Sequence, residues 1–490
     1  MNYDSYINQL YENQNIGADE TQKNLYKKEQ YQKLLNTVLK VLNNNKDASI
    51  KELRGMLYKE SGVDELIQNF FYEKRLAPGA VITYGTKNYQ ETLTVGNKQE
   101  VIMENGELKP NVQKMREDTI FDLASTTKLF TSISILKLVQ NGEINLEDEV
   151  VKYVPQFSNL KGVTIFDLLT FEPLQTDGRI DRVESIEEGE KILFTASKKE
   201  IPYGSNKYND IAPMVLKYVI EKVSGLTYKE FLQKELLDKL NMDSTYVNIP
   251  NDKLDRVASG NYDGRYFKDG NYIIRENANL GVSTDDKARI LGQPNGILSG
   301  HAGLFSSTSD MTKLARAIID NKVLNLKVRD MMLKNRTGFA FQTPENSTKY
   351  RQYFGMLVYS KNPELSSSEV QHLLSGKAFA SAGWSGTQQT IDPINNINLT
   401  LLSNRSHNRM TFIDITKKNR VITNDNIGFK SIILPNGYEM IDATRYAWDR
   451  DDIIRKCLEL AMQYKMLEEV TNYSKNNDKI EEETRTVTWR

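Results

Sequence analysis

A chain of 490 residues has room for a large core, and with 26% charged and 39% apolar residues its composition is that of a globular protein. Sixty-four Lys and Arg against 65 Asp and Glu leave a net charge of −1, which excludes bulk attraction to nucleic acid or an anionic membrane. A single cysteine, Cys457, and three histidines, His301, His372 and His407, exclude an intrachain disulfide and a thiolate metal site, so neither metal nor cofactor is expected.

Residues 1–62 are rich in Asn, Lys, Gln, Glu and Tyr and read as an N-terminal helical extension packing on the main domain. The first 20 residues look loose and polar, with no basic, apolar leader. No later window approaches the roughly 20 apolar residues of a membrane span. The expectation is a cytoplasmic protein with no integral membrane segment. Tyr31, Leu34, Leu35, Val38, Leu39 and Leu42 recur at helical spacing, and Ser49 with Glu52 forms a capping box for a second helix. A third helix covers 64–74. Strands follow at 80–84 and 91–95, then a loop carrying Pro110.

The segment 121–130 is polar where a helix should start and apolar straight afterwards. Its helix runs through Leu129, Ile133, Leu136 and Val139 and stops at Asn141-Gly142. Helices and long loops continue through 125–321. Helices are expected at 165–170, with Thr164 and Asp167 as a cap, at 210–223, with Pro213 in the first turn, at 228–240 and at 310–321. The loop-rich stretch 245–300 suggests a cleft wall. Strands return at 353–359, 379–391 and 397–403, the last two joined by the turn 392–396. Residues 408–445 read as an insertion, 451–470 as a long amphipathic helix, and 472–490 as a charged, disordered tail. The main domain, 63–471, is thus one α/β unit drawn from both ends (63–124 and 322–471) around a helical part, 125–321.

Ser125 and Lys128 lie three residues apart at the opening of the 121–140 helix, which puts both side chains on one face. A hydroxyl is a poor nucleophile until a base takes its proton, and a neighbouring amine is one candidate base. To be half neutral at pH 7 the lysine pKa must fall by about 3.4 units, or roughly 4–5 kcal/mol, which requires a dry, built site. Spacing alone does not decide, because Ser134/Lys137 and Ser158/Lys161 share it. None of the histidines lies in a recognisable triad motif, and His301, within Gly300-His301-Ala302-Gly303, reads as structural.

The ordered marks around this pair decide more. Ala77-Pro78-Gly79-Ala80, Asp118-Thr119-Ile120-Phe121-Asp122-Leu123-Ala124-Ser125, Thr127-Lys128, Leu168-Leu169-Thr170, Gly300-His301-Ala302-Gly303-Leu304-Phe305-Ser306 and Ser403-Asn404-Arg405 follow one another over three hundred residues. In this the chain resembles the serine β-lactamase-like family, in the branch of class C β-lactamases, penicillin-binding DD-peptidases and related esterases. The resemblance implies a β-lactamase/transpeptidase-like α/β (α+β) fold, an antiparallel sheet flanked by helices plus a mostly helical domain. It implies Ser125 as acylated nucleophile and Lys128 as its proton partner. The family's Tyr-x-Asn triplet falls on Tyr208-Asn209-Asp210. Tyr203 or Asn206 is an alternative register, and Asp210 also suits a helix N-cap. The family's Lys-Thr-Gly or His-Thr-Gly strand corresponds to Ser381-Ala382-Gly383, followed by Trp384. Gly383 is kept, leaving room for substrate backbone, and the amides of Ser125 and Trp384 could form an oxyanion hole. The basic residue is absent, with Lys377 as a possible substitute. At 169–174 the usual polar turn is replaced by Leu169-Thr170-Phe171-Glu172-Pro173-Leu174.

These residues imply a serine hydrolase working through an acyl-enzyme on a small-molecule or peptide-like ester or amide, as an esterase or a D-amino-acid-type peptidase. A DD-carboxypeptidase or β-lactamase is the alternative, and a catalytically silent ligand- or wall-binding homologue is another. No nucleic-acid partner is expected.

Overall fold

The structure, a computed structural model, describes residues 21–105, 107–202, 207–260, 266–268, 271–273, 280–336, 353–361, 369–410, 420–433, 437 and 439–487. Its centre is a seven-stranded antiparallel sheet. The strands are β1 (Gly79–Gly85), β2 (Gln90–Glu104), β3 (Glu107–Lys114), β4 (Tyr359–Ser360), β5 (Phe379–Gly383), β6 (Thr387–Asp392) and β7 (Ile397–Ser403), in spatial order β4-β5-β6-β7-β1-β2-β3. The seam between the two ends of the chain is the β1–β7 pair, in register from Ala80↔Ser403 to Gly85↔Asn398.

Every residue of β1 and β7 is buried, because helices cover both faces. Ala80, Ile82 and Tyr84, with Ile397, Leu399 and Leu401, point into one core with helices α1 (Thr21–Asn44), α2 (Ile50–Glu60) and the C-terminal α6 (Tyr446–Val487). In that core Tyr31, Leu35, Val38 and Val41 of α1 meet Ile454, Leu458 and Ala461 of α6. Val81, Phe379, Ile391 and Leu402 point the other way, into the core built on α3 (Thr127–Gln140), α4 (Ile211–Ser224) and α5 (Thr308–Ile319). The capping boxes at Ser49/Glu52 and Thr164/Asp167 both form. Among the described residues no helix is long and apolar enough to cross a membrane.

Several expectations need correction. The stretch 353–359 contributes only its last residue to a strand, for the chain turns back at Gly355–Val358 with Leu357 at φ 55°. The expected strand 379–391 is a hairpin, bent between Gly383 and Thr387 with Gly386 at φ 100°. The Pro110 loop is edge strand β3, where a missing amide donor is tolerated. Within 408–445 lies a separate four-stranded sheet. The expected disordered tail is helical as far as Val487, as the continuation of α6. The first 20 residues, and the alternative register at Tyr203 and Asn206, lie outside the described residues.

Candidate active site

Ser125 sits on a 3-10 turn, Ala124–Thr126, that leads into α3. The turn is forced. Ala124 has φ 44°, a left-handed value that costs a non-glycine residue about 1–3 kcal/mol and survives only where its surroundings impose it. Asp122 does much of that. One carboxylate oxygen accepts the Ala124 amide at 2.9 Å, and the other accepts the Thr284 amide at 2.6 Å and its hydroxyl at 2.8 Å. The Leu123 amide donates to Leu304 O at 2.8 Å, and the Leu123 carbonyl accepts the Thr387 hydroxyl of β6 at 2.9 Å.

Lys128 lies one turn on, 1% exposed. Its Nζ stands 2.9 Å from Ser125 Oγ, 2.7 Å from Tyr208 OH, 2.8 Å from Asp210 Oδ1 and 3.4 Å from the His301 carbonyl. An ammonium has three N–H groups and an amine two with a lone pair, so neither makes a separate linear hydrogen bond to all four partners at once. Burial pushes the Lys128 pKa below its ordinary value, while the Asp210 carboxylate works against that shift. Burial pushes the Tyr208 phenol up. Ser134/Lys137 and Ser158/Lys161 have no such surroundings. Lys137 is paired instead with Glu235, and Ser158 and Lys161 belong to a short exposed 3-10 turn.

Tyr208 precedes α4 and is held by rings: Phe171 at 5.0 Å, Phe354 at 5.9 Å and Tyr359, stacked at 6.4 Å. Phe171, from the departure at 169–174, adopts φ 59° to reach this place. The helix-cap alternative for Asp210 goes to its neighbour: Asn209 Oδ1 accepts the Ala212 amide at 2.9 Å, and Asp210 makes no side-chain cap. Asp210 is free to bridge two lysines. Its second oxygen is 2.9 Å from Lys287 Nζ, a residue the sequence did not single out. Burial opposes ionisation of Asp210, but Lys128, Lys287 and His301 hold its pKa well below the usual carboxylate range. Behind it Asp285 lies 2.9 Å from His301 Nε2, and His301 Nδ1 is 3.0 Å from Ser299 Oγ.

Among the described residues Asp210, Asp285 and His301 form the one group whose ligand atoms, within 4.8 Å of one another, could share a cation. Lys128 and Lys287 already occupy the two oxygens of Asp210, which fits a closed set of polar contacts.

Strand β5 ends against the serine turn. A methyl group at Gly383 would lie 2.3 Å from the Leu123 carbonyl oxygen and 2.3 Å from Thr387 Oγ1, so the Cβ side of this glycine is filled by the serine turn. Trp384 follows, its carbonyl 3.3 Å from Arg405 Nη1 and its ring 5.4 Å from the same guanidinium. Ser381 and Ala382 lie further along the strand, Ser381 buried and Ala382 half-buried, with no side-chain bond to the Ser125–Lys128 group. Lys377 does not reach the site: it is paired with Asp330, 2.5 Å away, before the other end of β5. Arg405 is the cation at the Trp384 end.

A family model described as Beta-lactamase matches residues 73–421. The chain belongs to the Beta-lactamase family. Over 315 residues it is 27% identical to a protein of Salmonella gallinarum named "Putative D-alanyl-D-alanine carboxypeptidase", covering 59% of this chain and 70% of that one. A protein of the same name from Salmonella enteritidis is 29% identical over the same coverage. Among solved structures, the octameric penicillin-binding protein homologue from Pyrococcus abyssi superposes with a TM-score of 0.50 at 22% identity, over 71% of this chain and 73% of that one. EstCE1, a hydrolase with promiscuous acyltransferase activity, gives 0.51 at 18% identity over 72% and 94%. A class C beta lactamase gives 0.50 at 18% over 72% and 94%. The family's fold is the one described above: a large antiparallel sheet flanked by helices.

Proposed function

We propose that the protein is a serine hydrolase that forms an acyl-enzyme at Ser125. The observation that carries this is the Lys128 amine, buried and within bonding reach of both Ser125 Oγ (2.9 Å) and Tyr208 OH (2.7 Å). In the reaction Ser125 Oγ attacks an ester or amide carbonyl and its proton passes to the Lys128 amine. The oxyanion forms beside the amides of Ser125 and Trp384. Tyr208, in contact with Lys128, hands a proton to the leaving group. Water then adds to the acyl carbonyl with the same groups accepting its proton, and the acid is released.

An ester or D-amino-acid-type amide is the favoured substrate class, because position 381 carries Ser where the resemblance calls for a cation. One observation favours a second reading, a DD-carboxypeptidase: Arg405 puts a guanidinium at the Trp384 end of the strand, where a substrate carboxylate could be met. Relatives bearing that name point the same way.

The test is a fluorophosphonate probe on wild type and Ser125→Ala, followed by adduct mass after exposure to short acyl esters and to a fluorescent penicillin. Serine-dependent labelling with ester turnover is expected. Absence of both would leave a silent binding protein. A stable penicillin adduct at Ser125 would favour the peptidase.

A further inference from the structure

An aspartate in contact with the candidate base poses a problem. A carboxylate 2.8 Å from Lys128 favours the ammonium, the one form that cannot take a proton from Ser125. Asp285 adds a second negative charge nearby. Unanswered, these two groups would undo what burial achieves.

Lys287 answers them. It projects from the short helix Asp286–Ile290, 30% exposed, and its Nζ meets the Asp210 oxygen that Lys128 does not use, at 2.9 Å. It also lies 3.9 Å from Asp285, and Asp181 faces it from the 3-10 turn Ile180–Arg182. The groups around Lys128 are therefore Ser125, Tyr208, Asp210 and the His301 carbonyl in contact, with Asp285 and Lys287 behind.

We propose that Lys287 is a positioning residue of the site: its ammonium binds the outer oxygen of Asp210, so that Asp210 aims Lys128 at Ser125 while Lys128 stands as a free amine. The inference rests on the acylation reading above. The two lysines have opposite settings. Burial opposes the charge on Lys287, but the Asp210 and Asp285 carboxylates outweigh it and hold its pKa above the ordinary value. Burial holds Lys128 below its own. Neighbouring titratable groups driven apart in this way divide into a fixed charge and a proton carrier.

The test titrates full-length protein labelled with [13Cε]lysine, the Lys128 resonance being identified by its loss in Lys128→Met. Wild type is compared with Lys287→Met, Lys287→Gln, Lys287→Arg, Asp210→Asn and Asp210→Asn/Lys287→Met. The pH dependence of fluorophosphonate labelling at Ser125 is followed in parallel. Removing the Lys287 charge is expected to move the Lys128 midpoint, and the rising limb of labelling, upward by about 1–2 pH units, the size that one charge within ~4–6 Å produces. Lys287→Arg leaves both in place. With Asp210→Asn present, the direct repulsion between the two lysines remains, so Lys287→Met still raises the midpoint but by less than in the wild-type background. A purely structural Lys287 would lower melting temperature or maximal rate without moving the midpoint. That result, or an unmoved midpoint in folded Lys287→Met and Lys287→Gln, overturns the proposal. If Ser125 is unlabelled at every pH, the acylation reading falls and the resonance midpoints alone decide the role of Lys287.

Discussion

Gly383→Ala probes the tightest joint of the site. The added methyl would lie 2.3 Å from both Leu123 O and Thr387 Oγ1, where an ordinary contact needs at least 3.4 Å. Neither obstacle can swing aside. Leu123 is tied by its amide to Leu304 O at 2.8 Å, and Thr387 Oγ1 is bonded to Leu123 O at 2.9 Å and to Thr126 Oγ1 at 3.0 Å. The strand and the serine turn must therefore separate by about 1 Å, and Ser125 moves with the turn. A misplacement of ~1 Å costs up to about 100-fold in rate, and the overpacking costs about 1–3 kcal/mol. The assay is the rate of fluorophosphonate labelling at Ser125 with the melting temperature recorded alongside. Labelling about 100-fold slower is expected in a folded protein that melts a few degrees lower. Gly55→Ala, in α2 with nothing within 4 Å of the new methyl, is the control and should label at the wild-type rate. Wild-type labelling by Gly383→Ala at an unchanged melting temperature would refute the reasoning.

Lys128→Met should slow labelling by about 10²–10⁴-fold, the usual worth of a positioned base. It should leave the melting temperature unchanged or higher, since Asp210 keeps Lys287 and a buried amine is removed. Labelling near the wild-type rate would reject Lys128 as the base. His407 sets a pH limit on stability. Its Nε2 accepts the amides of Glu100 at 2.8 Å and Val101 at 3.3 Å, and burial lowers its pKa from 6.5 to about 3. The folded-state pKa lies below the unfolded one, so this contribution is full above pH 6.5 and is lost as pH falls toward 3. Urea denaturation should show wild type losing about 2 kcal/mol more than His407→Asn between about pH 7 and 5. Parallel losses in the two proteins would contradict it.

The parts of the candidate site that were legible in the sequence are those carried by helical spacing together with the family resemblance. Ser125 and Lys128 are one helical turn apart, a spacing that two other pairs share, and the resemblance singled out this pair and placed the Tyr-x-Asn triplet on Tyr208, just before the helix that ends at Gly225. Asp285 and Lys287 were missed because nothing in their own neighbourhoods marks them, and Arg405, though part of the Ser403-Asn404-Arg405 mark, was given no place in the site because its meaning comes from what tertiary packing sets opposite it. The same limit explains the misread strands. Phe354, Met356, Leu357 and Val358 are all buried, and an apolar run without a period looks alike in a strand and in a loop crossing the core. Strand β3 failed for the opposite reason, being polar and carrying Pro110 at a sheet edge. The tail holds two Lys, two Arg and three Glu, which suit an exposed helix as well as they suit a coil.

The bond between Leu123 and Thr387 joins residues 264 apart in the chain. At a ribosome adding about 5–20 residues per second, the stretch between them takes on the order of tens of seconds to make. Throughout that interval the serine and its lysine exist without β5, β6 or β7, and β1 lacks the strand that closes its free side. Any product ending between Ser125 and β7 carries that serine but leaves β1 as an open template for pairing with another chain. On the proposed reading, acylation at Ser125 therefore waits until nearly all of the chain has been made, and the same arrangement leaves unfinished products with an open strand edge.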